Sequence, residues 1–415
     1  MPRSRAFRMA ATLLTVAAAV ASCGQRSAGG GTSYVPQTAN RAAMAAPEGG
    51  AKIGILGTGR NAKLDAMVVT FMRTYRVPNA QLAVSSRGKT VFSHAYTYEG
   101  LAKSTTTTST IMRLASITKA WTDAAMYQLI RAHEVNPNAK VFAYLGITKP
   151  LPASAKVDPR VYRITIEDMI LHESGWDDGK SGYDPTFGMR ATALDLGLKR
   201  AIDPTQYVQA QLAQPLQEAP GTTYAYCNFC YSVLGMVIAK ASGTSYADYI
   251  AKKVAAPLKL DNVRLSPTIG KRLPHEVAEY YSAYSGPSAI YVLSKKQYPY
   301  PYGGDGMILE IAGGASALAT NAESMLAYMN DYVIWGVGTP QPGAHWAREG
   351  SMPGTNSWSD QLPNGKNFAF IVNTRQYDYP ADTYVFENLQ AAIEQVLDPG
   401  VSPADVHRFS AMSPR

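Results

Sequence analysis

Four residues in the run MRLASITKAWTDAAMYQLI carry the clearest chemical signal of the chain: Ser116-Ile117-Thr118-Lys119 sets a hydroxyl and an amine three positions apart. On a helix, residues three apart share a face, which suits a nucleophile and its base. A serine hydroxyl is a weak nucleophile at neutral pH until a partner takes its proton. A lysine can do so only where burial or nearby positive charge weakens its hold on its own proton. Trp121, Ala124, Ala125, Leu129 and Ile130 leave few polar faces, so this helix is expected to be central and dry. The chemistry implied is acyl transfer through a lysine-assisted serine.

Ser-x-x-Lys arises about once by chance in a chain of this length, and a second copy, Ser86-Arg87-Gly88-Lys89, is present. It lies between the strand-like runs AQLAV and TVFSHAYTY, where Arg-Gly reads as a hairpin turn, and is set aside. Acyl transfer also needs a proton donor for the leaving group and two hydrogen-bond donors for the oxyanion. In PGTTYAYCNFCYSVLGMVIAKASG, Tyr226-Cys227-Asn228 follows a Pro220-Gly221 turn and opens a helix that Asn228 can cap. A tyrosine held near lysine can act as a general base, and the Asn228 amide can orient both the lysine and a substrate amide. Tyr328-Met329-Asn330 repeats the spelling inside a helical pattern and is read as coincidence.

The elements that must position these groups follow from periodicity. Leu64, Met67, Val68, Phe71 and Met72 indicate an amphipathic helix from about residue 62, followed by Val77-Pro78 and two strands joined at Arg87-Gly88. Residues 131–309 read as mostly helical with loops. Within them, residues 276–304 hold Tyr280, Tyr281, Tyr284, Tyr291, Tyr298, Tyr300 and Tyr302, either an aromatic wall of a cleft or a surface loop packed on its own rings. Alternating strands return near 345–359, a turn follows at Asn364-Gly365 with FAFIVNT after it, and TYVFENLQAAIEQVL makes a last helix. The expected fold is α/β (α+β). One antiparallel sheet is built from N- and C-terminal segments (61–130 and 310–398) with flanking helices, and a mostly helical domain (131–309) is inserted. A cleft between sheet and insert is the expected place for a site.

Residues 1–22 carry Arg3, Arg5 and Arg8 and then an apolar run, the pattern of an export signal. Val20-Ala21-Ser22-Cys23 resembles a bacterial lipobox, which implies lipid attachment at Cys23 and a membrane-anchored lipoprotein. Loss of the three arginines, with no acidic residue in that segment, lowers the formal charge from +8 to +5. No basic block or aromatic-basic alternation is present, which argues against a nucleic-acid partner. Residues 23–60 are rich in Gly, Ala and Ser and are expected to form a flexible tether, and 399–415 a tail. Of the three cysteines, Cys227 and Cys230 remain after the signal. Two small buried thiols are favoured over a local disulfide or a redox pair, because no thioredoxin-like strand surrounds them.

With these residues in view, the chain resembles the penicillin-recognising serine hydrolases with a Tyr-x-Asn second motif: class C β-lactamases, D-alanyl-D-alanine carboxypeptidases and related esterases and D-aminopeptidases. The resemblance spans residues 62–397 and includes VPNAQLAV, MRLASITKAWT, ITIEDMILHESGWD, PGTTYAYCNFCYSVLG, AGGASALATNAESM and EGSMPGTNS. It implies Ser116 as nucleophile, Lys119 as its base or electrostatic partner, Tyr226 as second acid/base group and Asn228 as orienting amide. The oxyanion hole would be the backbone N–H groups of Ser116 and Ser351. No cofactor and no metal are implied. The six histidines show no metal-ligand spacing, and His172 reads as a structural residue of the HESG turn.

The third motif departs from that family. Arg348-Glu349-Gly350 stands where relatives have Lys-Thr-Gly or His-x-Gly. An arginine there can bind a substrate carboxylate in bidentate fashion but cannot shuttle protons, Glu349 can partly neutralise it, and His345 is a further neighbour. The alternative, that Arg348 faces solvent and only Gly350 is needed, stays open. The leading expectation is therefore an exported serine hydrolase acting on a β-lactam, a D-amino-acid peptide or a carboxylic ester. The competing expectation is a catalytically weakened lipoprotein that binds cell-wall fragments. Redox activity through Cys227 and Cys230 is a distant third.

Overall fold

The structure is a computed structural model and describes residues 51–375 and 385–401. The signal-like segment and Cys23 lie outside the described residues. Six strands make one antiparallel sheet: β1 (Ile53–Thr58), β2 (Asn79–Ser86), β3 (Lys89–Tyr98), β4 (Trp346–Met352), β5 (Thr355–Gln361) and β6 (Lys366–Val372), in the spatial order β1-β3-β2-β6-β5-β4. The two ends of the chain thus meet at the β2–β6 pair, Lys366 opposite Ser86 through Val372 opposite Ala80. β1 pairs with β3 from Ile53 opposite Tyr98 to Thr58 opposite Ser93. This corrects the expected tether: residues 53–58 pair in register with β3 as an edge strand with only Ile53 buried, and the sheet begins before residue 61.

Local chemistry accounts for the boundaries. Helix α1 (Ala62–Tyr75) starts where the Asn61 side chain accepts a hydrogen bond from Leu64 N at 3.2 Å and ends at Arg76 in the left-handed region, φ 56°. The hairpin between β2 and β3 turns on Arg87 and Gly88, both at positive φ, so the second Ser-x-x-Lys copy is a turn and not a helix face. Helix α2 (Thr118–Arg131) follows a 3₁₀ turn, Ala115–Ile117. Helix α3 (Asn228–Ser242) stops at Gly243, φ 66°. Its N-cap is Cys227, whose sulfur accepts from Cys230 N, so Asn228 is the first helical residue and not the cap. That frees its amide for the site.

Each face of the sheet has its own apolar layer. On one side α1 and the last helix, α4 (Val385–Leu397), pack Leu64, Val68, Phe71, Phe386 and Ile393 against Leu82, Phe368 and Phe370. On the other side a larger core joins Trp121, Met126, Phe142, Trp176, Phe229 and Leu234 to Ala83, Ala369 and Ile371. α2 and α3 run side by side through this second core, α3 being part of the 131–309 segment. Strand alternation therefore decides which side chain of β4, β5 and β6 enters which layer.

Cys227 and Cys230 form a disulfide with Cα atoms 5.3 Å apart. This corrects the expectation of two thiols: the first turn of α3 brings positions i and i+3 within disulfide reach. The tyrosine-rich segment packs largely on itself and on Arg113. The Arg113 guanidinium lies 4.2 Å from the Tyr280 ring centre and 5.6 Å from that of Tyr302, and Tyr284 stacks on Tyr300 at 5.7 Å. Because Arg113 lies three residues before Ser116, the tyrosines anchor the approach to the serine turn.

Candidate active site

Ser116 sits in the 3₁₀ turn that leads into α2, preceded by Ala115 at φ 47°. A non-glycine residue in the left-handed region costs on the order of 1–3 kcal/mol and persists only where surrounding structure holds it. Here that structure is β4. A Cβ on Gly350 would lie 2.1 Å from Leu114 O and 2.3 Å from Ser357 Oγ, so only glycine lets the strand approach the serine turn this closely. Ser357 Oγ then donates to Leu114 O at 2.7 Å, tying β5 to the same turn.

Lys119 is fully buried. Its Nζ donates to Ser116 Oγ at 3.1 Å, to Asn228 Oδ1 at 2.7 Å and to Ala315 O at 2.9 Å. Three oxygens around one amine fix its position, and the first of them is the hydroxyl whose proton acyl transfer must remove. The Tyr226 ring lies 4.8 Å from Nζ. The structure thus brings Ser116, Lys119, Tyr226 and Asn228 together.

His172, read from the sequence as structural, and Asp184, which the sequence reading passed over, hold these four in place. His172 lies beneath Tyr226, the rings stacked at 4.8 Å, and its Nδ1 accepts from Cys227 N at 2.9 Å. Burial first, then the positive charges of Arg348 and Lys119, keep this imidazole's pKa well below its usual value, so it is neutral at pH 7. Its place in the HESG turn is structural, and what it supports is the Tyr226-Cys227-Asn228 bend. On the other side of Asn228, Nδ2 donates to Asp184 Oδ2 at 2.8 Å. With Oδ1 held by Lys119 and Nδ2 by Asp184, the amide has one orientation, and the second Nδ2 hydrogen remains for a ligand. Asp178 is pushed up to about 8 by burial and then by the charges of Asp184 and Asp177, so it holds its proton at pH 7.

Arg348 departs from both sequence alternatives. It is not solvent-facing: its side chain is 2% exposed, with Nη1 3.3 Å from Asp123 Oδ2 and 3.3 Å from Ile334 O. The guanidinium also stacks 3.9 Å from the Trp335 ring centre. The charge that a substrate carboxylate would meet is already balanced by Asp123, which also accepts from Tyr231 Oη at 2.7 Å. Burial raises the Asp123 carboxyl to about 6 even though Arg348 and Tyr231 pull it down. Glu349 is not the neutralising neighbour, because adjacent strand residues point to opposite faces. It is raised to about 7 by burial and by Glu387 of α4. His345 likewise lies on that far side, 3.0 Å from Asp360. Asp123 was legible in principle, since it stands four residues after Lys119 on the same face of an apolar helix. Asp184 carried no such signal.

A family model described as Beta-lactamase matches residues 64–386. The chain belongs to the β-lactamase family. For this family member, teichoic acid D-alanine hydrolase of Staphylococcus aureus is a relative at 29% identity over 188 residues, 44% of the chain and 40% of that protein. The match thus spans well under half of the relative's length. Among solved structures, an octameric penicillin-binding protein homologue from Pyrococcus abyssi superposes with a TM-score of 0.56 at 18% identity, covering 81% of this chain and 77% of the other. D-amino acid amidase from Ochrobactrum anthropi SV3 gives 0.56 at 14%, covering 82% and 98%, and a D-stereospecific amidohydrolase from a Streptomyces species gives 0.54 at 17%, covering 80% and 99%. At these identities the structures show a shared fold, the antiparallel sheet with helices that the β-lactamase-family chain displays.

Proposed function

We propose that the chain is an exported serine hydrolase that releases a D-amino acid, D-alanine being the first candidate, from an ester or amide through an acyl-enzyme on Ser116. The observation that carries this reading is the buried Lys119 amine 3.1 Å from Ser116 Oγ. In its neutral form Lys119 takes the hydroxyl proton as Oγ bonds to the substrate carbonyl carbon. The N–H groups of Ser116 and Ser351 receive the developing oxyanion. The leaving oxygen or nitrogen then takes a proton from Tyr226 or Lys119, and a water molecule, deprotonated by the same groups, attacks the ester carbonyl to free Ser116. Asn228 holds the lysine and offers its remaining hydrogen to the acyl group. Arg348 acts here as a positioning residue, because Asp123 has taken its charge.

The substrate class is supported by charge. An acyl group with a free ammonium suits a site with the Asp184 side chain bonded to Asn228, whereas a carboxylate-bearing one would meet that acid and a neutralised arginine. The relatives named above for D-alanine and D-amino acid hydrolysis agree with this choice. Export is supported by the signal-like segment and by the Cys227–Cys230 disulfide, which an oxidising compartment maintains. Lipidation at Cys23 is part of the proposal and rests on the lipobox spelling alone.

Full-length protein in detergent is to be incubated with D-alanyl and L-alanyl p-nitrophenyl esters, an uncharged acyl ester, a fluorescent penicillin and a fluorophosphonate. The expected result is a fluorophosphonate adduct on Ser116, fastest turnover of the D-alanyl ester, and loss of at least about a thousandfold in kcat for Ser116→Ala. Folded protein without any adduct would replace this reading with a fragment-binding lipoprotein. Preference for the uncharged ester would remove the ammonium argument while leaving Ser116 in place.

A further inference from the structure

On the side of the sheet away from Ser116, the buried side chains of three residues from three segments converge. His345 lies just before β4, Asp360 on β5 and Glu394 on α4. Their side chains are 1%, 0% and 1% exposed. His345 Nε2 is 3.0 Å from Asp360 Oδ1 and 3.9 Å from Glu394 Oε1, and one donor atom from each residue falls within a 4.8 Å span. Trp358 Nε1 donates to Asp360 Oδ2 at 3.3 Å, on the carboxylate's other oxygen. Glu394 Oε1 accepts no hydrogen bond, although the Glu394 and Asp360 carboxyl groups are hydrogen-bonded to each other. Among the described residues, neither carboxylate has a lysine or arginine within ion-pair distance.

Two carboxylates packed side by side without a cation are costly to bury, since each adds a desolvation penalty and each repels the other. One imidazole and two carboxylates form the donor set that first-row divalent cations accept, and their formal charge of −2 with neutral imidazole matches such an ion. Metal–ligand bonds of about 2.1 Å place neighbouring donors about 3 Å apart. The His345–Asp360 pair already has that spacing, and Glu394 reaches it by closing about 1 Å.

We propose that His345, Asp360 and Glu394 form a structural site for a divalent transition-metal ion, zinc or manganese, that clamps α4 onto the β4–β5 hairpin. The site is separate from the hydrolytic one and independent of the proposed function. Its consequence for the molecule is mechanical: β4 also carries Gly350 and Ser351 against the serine turn, so the clamp stiffens the strand that borders the cleft. The spacing of the ligands along the chain, 15 and 34 residues, explains why no metal motif is readable in the sequence.

The test uses full-length protein in detergent, without a polyhistidine tag, stripped with a chelator and titrated calorimetrically with zinc chloride and with manganese chloride. The expected result is one equivalent bound, a Tm raised by about 5 °C or more at a thousandfold excess over Kd, and loss of both in Glu394→Gln and His345→Gln. Should a variant fail to fold, X-ray absorption at the metal edge of the wild-type protein decides the question. One imidazole nitrogen and carboxylate oxygens near 2.1 Å support the site, while a shell containing sulfur or lacking imidazole overturns it. Absence of stoichiometric binding with an unchanged Tm also overturns it, and would mean that the two carboxyl groups share a proton. Undiminished binding in both folded variants overturns it equally.

Discussion

The two faces of strands β4 and β5 bury charge in opposite ways. Toward Ser116, Arg348 meets Asp123, and Lys119 is surrounded by three oxygens. Toward α4, Asp360 of β5 and Glu394 of α4 share a dry space with His345 and the Trp358 indole N–H, and among the described residues no lysine or arginine pairs with them. The same backbone therefore carries a balanced layer and an unbalanced one. The difference teaches that net charge, more than burial, separates an electrostatic network closed by its own side chains from one that the proposed metal ion would balance.

Breaking the balanced side should have the largest effect. Asp123→Ala strands the Arg348 guanidinium in the core and is expected to destabilise by about 3–5 kcal/mol, measured by urea unfolding. Asp123→Leu combined with Arg348→Met should recover much of that loss, and failure to do so would mean that the pair is not the unit of stability. Gly350→Ala comes next. Its Cβ collides with backbone and with Ser357, so a loss of about 1–3 kcal/mol is expected, with kcat falling more than KM rises as the serine turn and Ser351 N–H separate. A wild-type kcat in this variant would detach β4 from the oxyanion geometry.

A smaller effect sharpens the comparison at Asn228. Cys230→Ser opens a four-residue loop, for which the chain-entropy cost is about 2 kcal/mol, read as a lower thermal midpoint under non-reducing conditions. The smallest concerns Asp178. Its folded value, about 8, lies above the ordinary 3.8, so between those values the folded chain holds a proton that the unfolded chain has lost. Stability should then fall as pH rises from about 4 to 8, with a slope no steeper than about 1.4 kcal/mol per pH unit for one proton. Asp178→Asn should flatten that slope. An unchanged profile would mean that burial and the neighbouring Asp184 and Asp177 do not hold the proton on Asp178.

Much of the architecture could be read along the chain because it rests on local rules. The Arg87-Gly88 turn, the α1 stripe of Leu64, Val68, Phe71 and Met72, and the Gly243 stop each depend on neighbours within a few residues. The β1 strand escaped because residues 51–60 look like the glycine-rich tether before them, and only pairing with β3 gives the segment a reason to be extended. The disulfide escaped because two cysteines three apart are as compatible with thiols as with a bond.

The sequence by itself determined the family, the serine and lysine three positions apart at the start of one helix, and the tyrosine and asparagine at the mouth of another. Each of these needs only residue type and short spacing. The tertiary structure alone decided that Arg348 answers to Asp123 and not to Glu349, that Asp184 sets the Asn228 amide, and that His345, Asp360 and Glu394 meet. The physical reason is that alternation along a strand fixes which face a side chain takes. Which charge waits there is settled by segments that arrive from far away in the chain.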